Sequence, residues 1–380
     1  MNTRNEFLFR LGRIAKKDRK EFWGKHNYSI RRSKRRGHLE AGLWFRTRGC
    51  RHDHKGGCIM CDYSSGPYTA PDNMISYVRE GLETFNEPYN HLLVSPSGSM
   101  LDEWEVPIIA REGIFKLLKD SKHETFSFET RVDTITQEKM NQSKDLLENR
   151  LLKVYIGLES ANPWISKYCI NKDLPLYSFQ QATRILKQFG TKTAVNILLG
   201  TPFLSPLEDI QNVVQSLQWA LEQGADECYL FPTHVKEATL LFYLYQKGFY
   251  SPPSLWSLVE VLKRIGSQIA QDHTRLSWYT SYGAFNVVAS PTTCKNCHEK
   301  IISLLDRFAK YGEFDAVQEL IGIECKCKDV WRNQIIQTPS SSLADRVING
   351  YDFLAKELLL NDWWKNNRQT ILDELYSDLP

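Results

Sequence analysis

The chain has 380 residues, 42% of them apolar and 24% charged, which is the balance of a soluble globular protein with room for one large domain and an appendage. No apolar run is long enough to span a bilayer, and the N-terminal MNTRNEFLFRLGRIAKKDRK lacks the apolar core of a signal peptide; both argue against a membrane or secreted role. The net charge of +3 conceals a polarity: residues 1–36 hold 13 Lys/Arg against 3 Asp/Glu, the rest 35 against 42.

The basic arm comes first. Residues 4–23 carry Phe7, Leu8, Leu11, Ile14 and Ala15 at helical spacing between basic residues, which predicts a basic amphipathic helix docked on the main domain or on a partner. Arg31, Arg32, Lys34, Arg35 and Arg36 then form a run that either grips phosphates or is a solvated face. Residues 40–47 read as a strand that runs into the loop FRTRGCRHDHKGGCIMCDYSSG, which starts at Phe45.

That loop holds Cys50, Cys58 and Cys61 as C-x7-C-x2-C. A 4Fe–4S cluster usually takes four cysteines, so a three-cysteine loop points to a cubane with one iron open to a non-protein ligand. S-adenosylmethionine is the natural occupant, and electron transfer into its sulfonium releases a 5′-deoxyadenosyl radical. A structural zinc loop, with His52 or His54 as fourth ligand, and chance clustering are the competing readings.

Beyond a helix near 74–85, short apolar strands alternate with amphipathic helices. The strands fall at 91–95, 125–129, 152–158, 193–199 and 227–232, and the helices at 108–120, 137–147, 178–189, 206–223 and 240–247. This rhythm predicts parallel strands with right-handed crossovers, six units closing partway into a TIM-like barrel with its chemistry at the C-terminal strand ends. Polar residues recur there: Gly98 and Ser99, Glu129, Glu159 with Asn171 and Lys172 twelve to thirteen residues on, and Asn196. Downstream, Cys294 and Cys297 (C-x-x-C) and Cys325 and Cys327 (C-x-C) can close a tetrahedral zinc site or hold an auxiliary iron–sulfur cluster. His298 reads as a surface histidine, and Cys169 and Cys228 as buried small hydrophobes. TPSSS at 338–342 is a turn, followed by helices at 344–356 and 363–374. Seven of the nine cysteines fall in two tight groups, which suits metal binding in a reducing cytosol.

The Cys loop, GSMLDEWEVP (98–107), FETRVDTITQEKM (128–140), IGLESAN (156–162), INK (170–172) and FYSPPSLWSLVEVLK (249–263) together resemble the radical SAM family of the archaeosine-synthase radical SAM subunit, related to the elongator catalytic subunit. The resemblance runs from about residue 40 to residue 335. It implies an α/β fold, a partial (β/α)6 TIM-like barrel, with a basic N-terminal helical extension (1–39), the barrel (40–275) and a small C-terminal region built on four cysteines (276–380). It implies a 4Fe–4S cluster on Cys50, Cys58 and Cys61 and S-adenosylmethionine held by Gly98 and Ser99 near the amino group. Glu129 would bind the amino or ribose end, Glu159 and Asn196 the ribose, and Lys172 the carboxylate. The family's radical acts on a lysine-bearing 7-deazaguanine in tRNA and breaks a C–N bond. A flavodoxin- or ferredoxin-type reductant and a partner subunit that prepares the substrate are the implied partners, in the cytoplasm. The family's usual residues differ from Met100 and from Glu129-Thr-Arg-Val-Asp133, which keeps a small-molecule or peptide biosynthetic radical enzyme as the alternative.

Overall fold

The strands predicted from short apolar runs come together as one curled sheet in the computed structural model, which describes residues 3–379 other than 18, 20–25, 64, 65, 173, 282, 285 and 360. The described chain runs α1 (Thr3–Ala15), β1 (Tyr28–Arg35), β2 (His38–Phe45), α2 (Arg51–His54), α3 (Pro71–Glu83), β3 (His91–Ser95), α4 (Ile108–Lys119), β4 (Thr125–Thr130) and α5 (Gln137–Leu146). It continues with β5 (Leu151–Glu159), a π-turn (Ile165–Ile170), α6 (Leu176–Gln188), β6 (Lys192–Leu199), α7 (Pro206–Glu222), β7 (Glu227–Pro232), β8 (Val235–Lys236), α8 (Leu240–Gln246), α9 (Leu255–His273), β9 (Thr274–Leu276) and β10 (Val287–Ala289). Five helices close it: α10 (His298–Tyr311), α11 (Asp315–Gly322), α12 (Lys326–Ile335), α13 (Leu343–Leu358) and α14 (Asn361–Ser377).

The sheet order is β1-β2-β3-β4-β5-β6-β7-β9. Strands β2 through β7 and β9 run parallel, and β1 joins the edge antiparallel to β2. The five downstream strand predictions are met to within a residue or two at each end, because buried parallel strands read as near-continuous apolar runs. The sheet curls into an open half-barrel. Arg36, in the β1–β2 turn, lies within electrostatic reach of Arg275 on β9 and donates its backbone N–H to Lys310 O of α10 at 2.7 Å, so α10 sits across the gap between the two edges.

The first 39 residues differ from the expected helical extension. The helix stops at Ala15, and residues 18 and 20–23 of its expected continuation lie outside the described residues. Arg31, Arg32, Lys34 and Arg35 belong to β1, an integral edge strand in register with β2. Arg36 and Gly37, at φ 49° and 85°, make the tight two-residue turn that such a hairpin requires. The cationic run therefore alternates along a strand instead of forming a loose arm.

Two cores result. The larger fills the barrel and the layer of helices around it, and takes in Trp256 of α9 and Trp331 of α12. The second joins the two ends of the chain. Phe7, Leu8 and Leu11 of α1, Tyr351 of α13 and Ile371 and Leu375 of α14 pack with Ile165, Tyr168 and Ile170 of the π-turn and with Ile59 of the Cys loop. Ile59, between two predicted cluster ligands, is fully buried there. Phe7 stacks on Trp364 with ring centroids 4.4 Å apart, and Tyr351 Oη donates to Tyr168 O at 2.6 Å. Among the described residues no helix is long and apolar enough to cross a membrane.

Candidate active site

The Cys loop follows β2 at the C-terminal end of the barrel, where the rhythm of strands and helices predicts the chemistry. A loop this rich in glycine and charge cannot hold itself, and it is pinned from several directions. Cys50 O accepts from His54 N at 2.9 Å, Cys50 N donates to Tyr63 O at 3.2 Å, and Cys61 N donates to Cys58 O at 3.1 Å. Ile59 N donates to Ile170 O at 2.9 Å, tying the loop to the π-turn. Asn171, in left-handed conformation at the end of that turn, donates from Nδ2 to Gly57 O at 2.7 Å and accepts at its backbone O from His52 Nε2 at 2.8 Å.

The basic residues of α1 and its C-terminal tail serve the same loop. Arg4 Nη1 donates to Asn171 Oδ1 at 3.0 Å and to Lys167 O at 2.6 Å. Lys16 and Arg19 both bind the buried carboxylate of Asp53, and Arg19 also donates to Cys61 O at 2.9 Å. Gly12 makes the approach possible: a Cβ there would stand 2.8 Å from the carbonyl carbon of Gly56. This helix is docked on the main domain, one of the two placements its sequence allows, and Lys16 and Arg19, just beyond its end, are spent on the loop.

The three thiols are half-buried and close enough to interact electrostatically. Burial pushes Cys50 up to about 11, Cys58 to about 12 and Cys61 well above the ordinary thiol range. The two histidines of the loop are turned to other work. Burial lowers His52 to about 4, its Nε2 is committed to Asn171 O, and exposed His54 packs on Trp104 at 5.2 Å between centroids.

Of the predicted strand-end residues, Lys172 and Glu159 lie within electrostatic reach of Cys58, and Gly98 stands against Cys50. Lys172 Nζ donates to Glu159 Oε1 at 2.9 Å. Burial opposes the charge on Lys172, but Glu159 and Cys58 outweigh it and its pKa is raised. Glu159 itself sits at φ 65° where the β5–β6 register shifts, a strained position that turns its carboxylate toward Lys172. Glu129 is pushed up to about 7 by burial, against a hydrogen bond from Trp44 Nε1 at 3.3 Å. Asn196 Oδ1 is a buried acceptor without a partner among the described residues. Ser99 is fully buried; its hydroxyl lies 2.7 Å from Thr130 Oγ1 and accepts from Arg131 N at 3.1 Å, so its side chain locks the β3 loop to the end of β4.

Sequence reasoning missed Glu105, Asp62 and Lys236. Glu105, pushed up to about 8 by burial, accepts from Thr47 Oγ1 at 2.8 Å and Ser99 N at 2.7 Å, joining both ends of the site. A Cβ on Gly98 would stand 2.8 Å from Glu105 Oε1 and 2.9 Å from Cys50 Cα, so only glycine fits between them. Asp62, next to Cys61, binds Lys236 Nζ at 2.7 Å and Asn286 Nδ2 at 2.6 Å, which fastens the small β8–β10 sheet to the loop. The adjacency of Asp62 to Cys61 was the available signal; the other two depend on tertiary proximity.

The second cysteine group is assembled as predicted. Cys294, Cys297, Cys325 and Cys327 bring four Sγ atoms within 4.8 Å of one another, with neighbouring pairs at 3.4 to 3.6 Å. Trp256 Nε1 donates to Cys327 Sγ at 3.2 Å; burial opposes the charge, but this and neighbouring hydrogen bonds bring that thiol down to about 6.

No protein-family model matches the chain. It is 29% identical over 293 residues to archaeosine synthase subunit beta of Methanosarcina acetivorans, an alignment covering 76% of this chain and 82% of that protein. The protein of the same name from Thermococcus kodakarensis is 28% identical over 286 residues, covering 72% and 84%. Along most of its length the chain is thus similar to these archaeosine synthase beta subunits. Among solved structures, Elp3 of Methanocaldococcus infernus overlays on 63% of this chain and 59% of its own, with 19% identity and a TM-score of 0.45. The stretch shared with these relatives is long enough to hold the whole barrel.

Proposed function

We propose that the protein uses a 4Fe–4S cluster on Cys50, Cys58 and Cys61 to cleave S-adenosylmethionine, and turns the radical on a tRNA base, breaking a C–N bond of a lysine-bearing 7-deazaguanine. The observation that carries this reading is a loop of three thiols with the Lys172–Glu159 pair within electrostatic reach of Cys58; the Glu129 carboxylate and Asn196 Oδ1, an acceptor without a partner among the described residues, lie on neighbouring parallel strands and support it. The donor set fits the cluster. Thiols kept neutral by burial become ligands only when a metal takes their charge, three of them leave one iron open, and the nearby His52 is committed through Nε2 to Asn171 O. The cluster, when bound, supplies the electron that splits the sulfonium. Lys172 would take the methionyl carboxylate, with Glu159 holding its ammonium in place and reaching the ribose. Glu129 and Asn196 would accept from the amino group and the ribose hydroxyls, and Gly98 lets the backbone come close.

For the second group we propose a single zinc ion. With Zn–S near 2.3 Å, tetrahedral geometry sets sulfurs about 3.8 Å apart, close to the 3.4 to 3.6 Å found. A cubane would put the four thiolates on separate irons and spread them further. A flavodoxin- or ferredoxin-type donor, a partner subunit that prepares the substrate, and a reducing cytoplasm complete the proposal. The test is anaerobic reconstitution followed by dithionite reduction. Wild type should make 5′-deoxyadenosine, and Cys50→Ala, Cys58→Ala or Cys61→Ala should lose both the brown chromophore and that product; production by the triple variant would refute the assignment.

A further inference from the structure

Beside Cys50 the surface carries a cluster of planar groups. The guanidinium carbon of Arg48 lies 4.8 Å from the ring centre of Tyr68 and 4.5 Å from that of Trp104. His54 packs on Trp104 at 5.2 Å, and the Arg51 guanidinium lies 5.9 Å from the same ring. Tyr68, at the outer end, is 59% exposed. Arg48 has no hydrogen-bond acceptor or acidic partner among the described residues, although it carries five N–H donors. The acid beneath it, Asp102, is already shared by Arg51 at 2.6 Å and Arg131 at 3.7 Å.

A packing role alone leaves two features unexplained: a cation held between two rings with its N–H groups unclaimed among the described residues, and an exposed ring at the end of the cluster. Both are what an unstacked RNA strand needs. Bases stack on aromatic faces and on guanidinium planes, and the phosphate between them takes a cation's N–H groups. We propose that Tyr68, Arg48, Trp104 and His54 form a nucleotide platform at the rim of the barrel mouth, where Tyr68 stacks a base flanking the reacting nucleotide and Arg48 takes its phosphate. This rests on the tRNA reading above and adds to it the residues that would present the strand to the site.

The experiment is filter binding of an in vitro transcribed tRNA to the reconstituted full-length protein at several salt concentrations, with melting temperature and iron content as fold checks. Tyr68→Ala should weaken binding about tenfold or more with the salt slope unchanged, and Tyr68→Trp should restore it. Arg48→Gln should reduce the salt slope by about one. Tyr311→Ala, an exposed ring on α10, should bind as wild type does. If Arg48→Gln loses iron, the Tyr68 pair carries the test. Wild-type binding with unaltered Tyr68→Ala and Arg48→Gln would overturn the platform and leave the RNA reading standing; no tRNA binding by wild type at any salt would remove both. Normal tRNA binding by these variants with slowed reduction by flavodoxin, relative to dithionite, would assign the face to a protein donor and overturn the proposal.

Discussion

Replacing Gly12 by Ala separates two opposite expectations about α1. In a helix interior, Ala is favoured over Gly by about 1 kcal/mol, so propensity alone raises stability. The structure puts the new Cβ 2.8 and 2.9 Å from the carbonyl carbon and Cα of Gly56, where ordinary contact begins near 3.4 Å. Gly56 cannot easily retreat. Its φ of 129° suits only glycine, and its N–H donates to Asp53 O at 3.0 Å, on a residue bound by Lys16 and Arg19. Overpacking of this kind costs about 1–3 kcal/mol, so the net effect should be a loss of up to about 2 kcal/mol. Unfolding entropy scales at about 2.1 cal/mol/K per residue, so each kcal/mol moves the midpoint of this chain by only about 1–2 °C. The better readout is therefore local: iron retained by the reconstituted protein under an anaerobic chelator challenge, with calorimetry beside it. Gly12→Ala should shed iron faster and melt lower. Gly322→Ala in α11, where nothing lies within 4 Å of the new Cβ, should melt higher and keep its iron. A Gly12→Ala protein that melts higher with wild-type iron retention would refute the claim that α1 holds the Cys loop.

The remaining predictions concern the metal groups and the barrel floor. In a protein lacking Cys50, Cys58 and Cys61, metal analysis should find about one zinc and no iron; residual iron with acid-labile sulfide would instead mean a second cluster. Cys294→Ser should lower the melting temperature even in that background, since structural zinc contributes folding free energy directly. At the floor, burial opposes ionisation of Glu227, but Lys153 at 2.6 Å and Arg275 at 3.1 Å bring it from 4.5 down to about 2. A carboxylate depressed by folding stabilises above its unfolded pKa and loses that contribution as pH falls. Glu227→Gln should therefore melt lower at pH 7 and lose less stability than wild type between about pH 4.5 and 2. Parallel pH profiles would sink this account.

The barrel was legible because its strands are buried on both faces and its helices are amphipathic, so each element declares itself locally. His91–Ser95 and Glu227–Pro232 match residue for residue. Strand β1 was not, because YSIRRSKR reads as a charge run and only its pairing with β2 makes it a strand. The Arg36-Gly37 turn was the available clue. Helix α9 was visible as the family segment SLWSLVEVLK but not as the wall that carries Trp256 to Cys327. The strand-end residues could be named from the sequence, while their mutual arrangement could not. That Glu159 turns toward Lys172, or that Glu105 bridges Thr47 and Ser99, follows from a bulge and a loop whose geometry no periodicity encodes.

The Cys loop shows why the ends of the chain matter to its middle. The proposed cluster ligands sit on an irregular segment, since no regular element spaces three thiols as C-x7-C-x2-C requires, and such a segment has little stability of its own. Here its rigidity is borrowed. Ile59 is a hydrophobic peg in a core that α1 and the last two helices build. Asp53 answers to Lys16 and Arg19, and Asn171 answers to Arg4. Trp164 Nε1 of the stretch leading into the π-turn donates to Leu375 O at 3.1 Å, and Tyr168 Oη donates to Glu374 O at 2.8 Å. The π-turn that presents Lys172 is thus held by α14, and the loop that presents the thiols is held by α1. Because α1 and α14 pack on each other, with Arg4 N donating to Glu374 Oε2 at 3.3 Å, the two halves of the site are fixed to one body. The basic arm that looked like a free phosphate grip is, for most of α1, the brace of this body; among the described residues, Arg48 at the rim is a cation with charge to offer a polyanion.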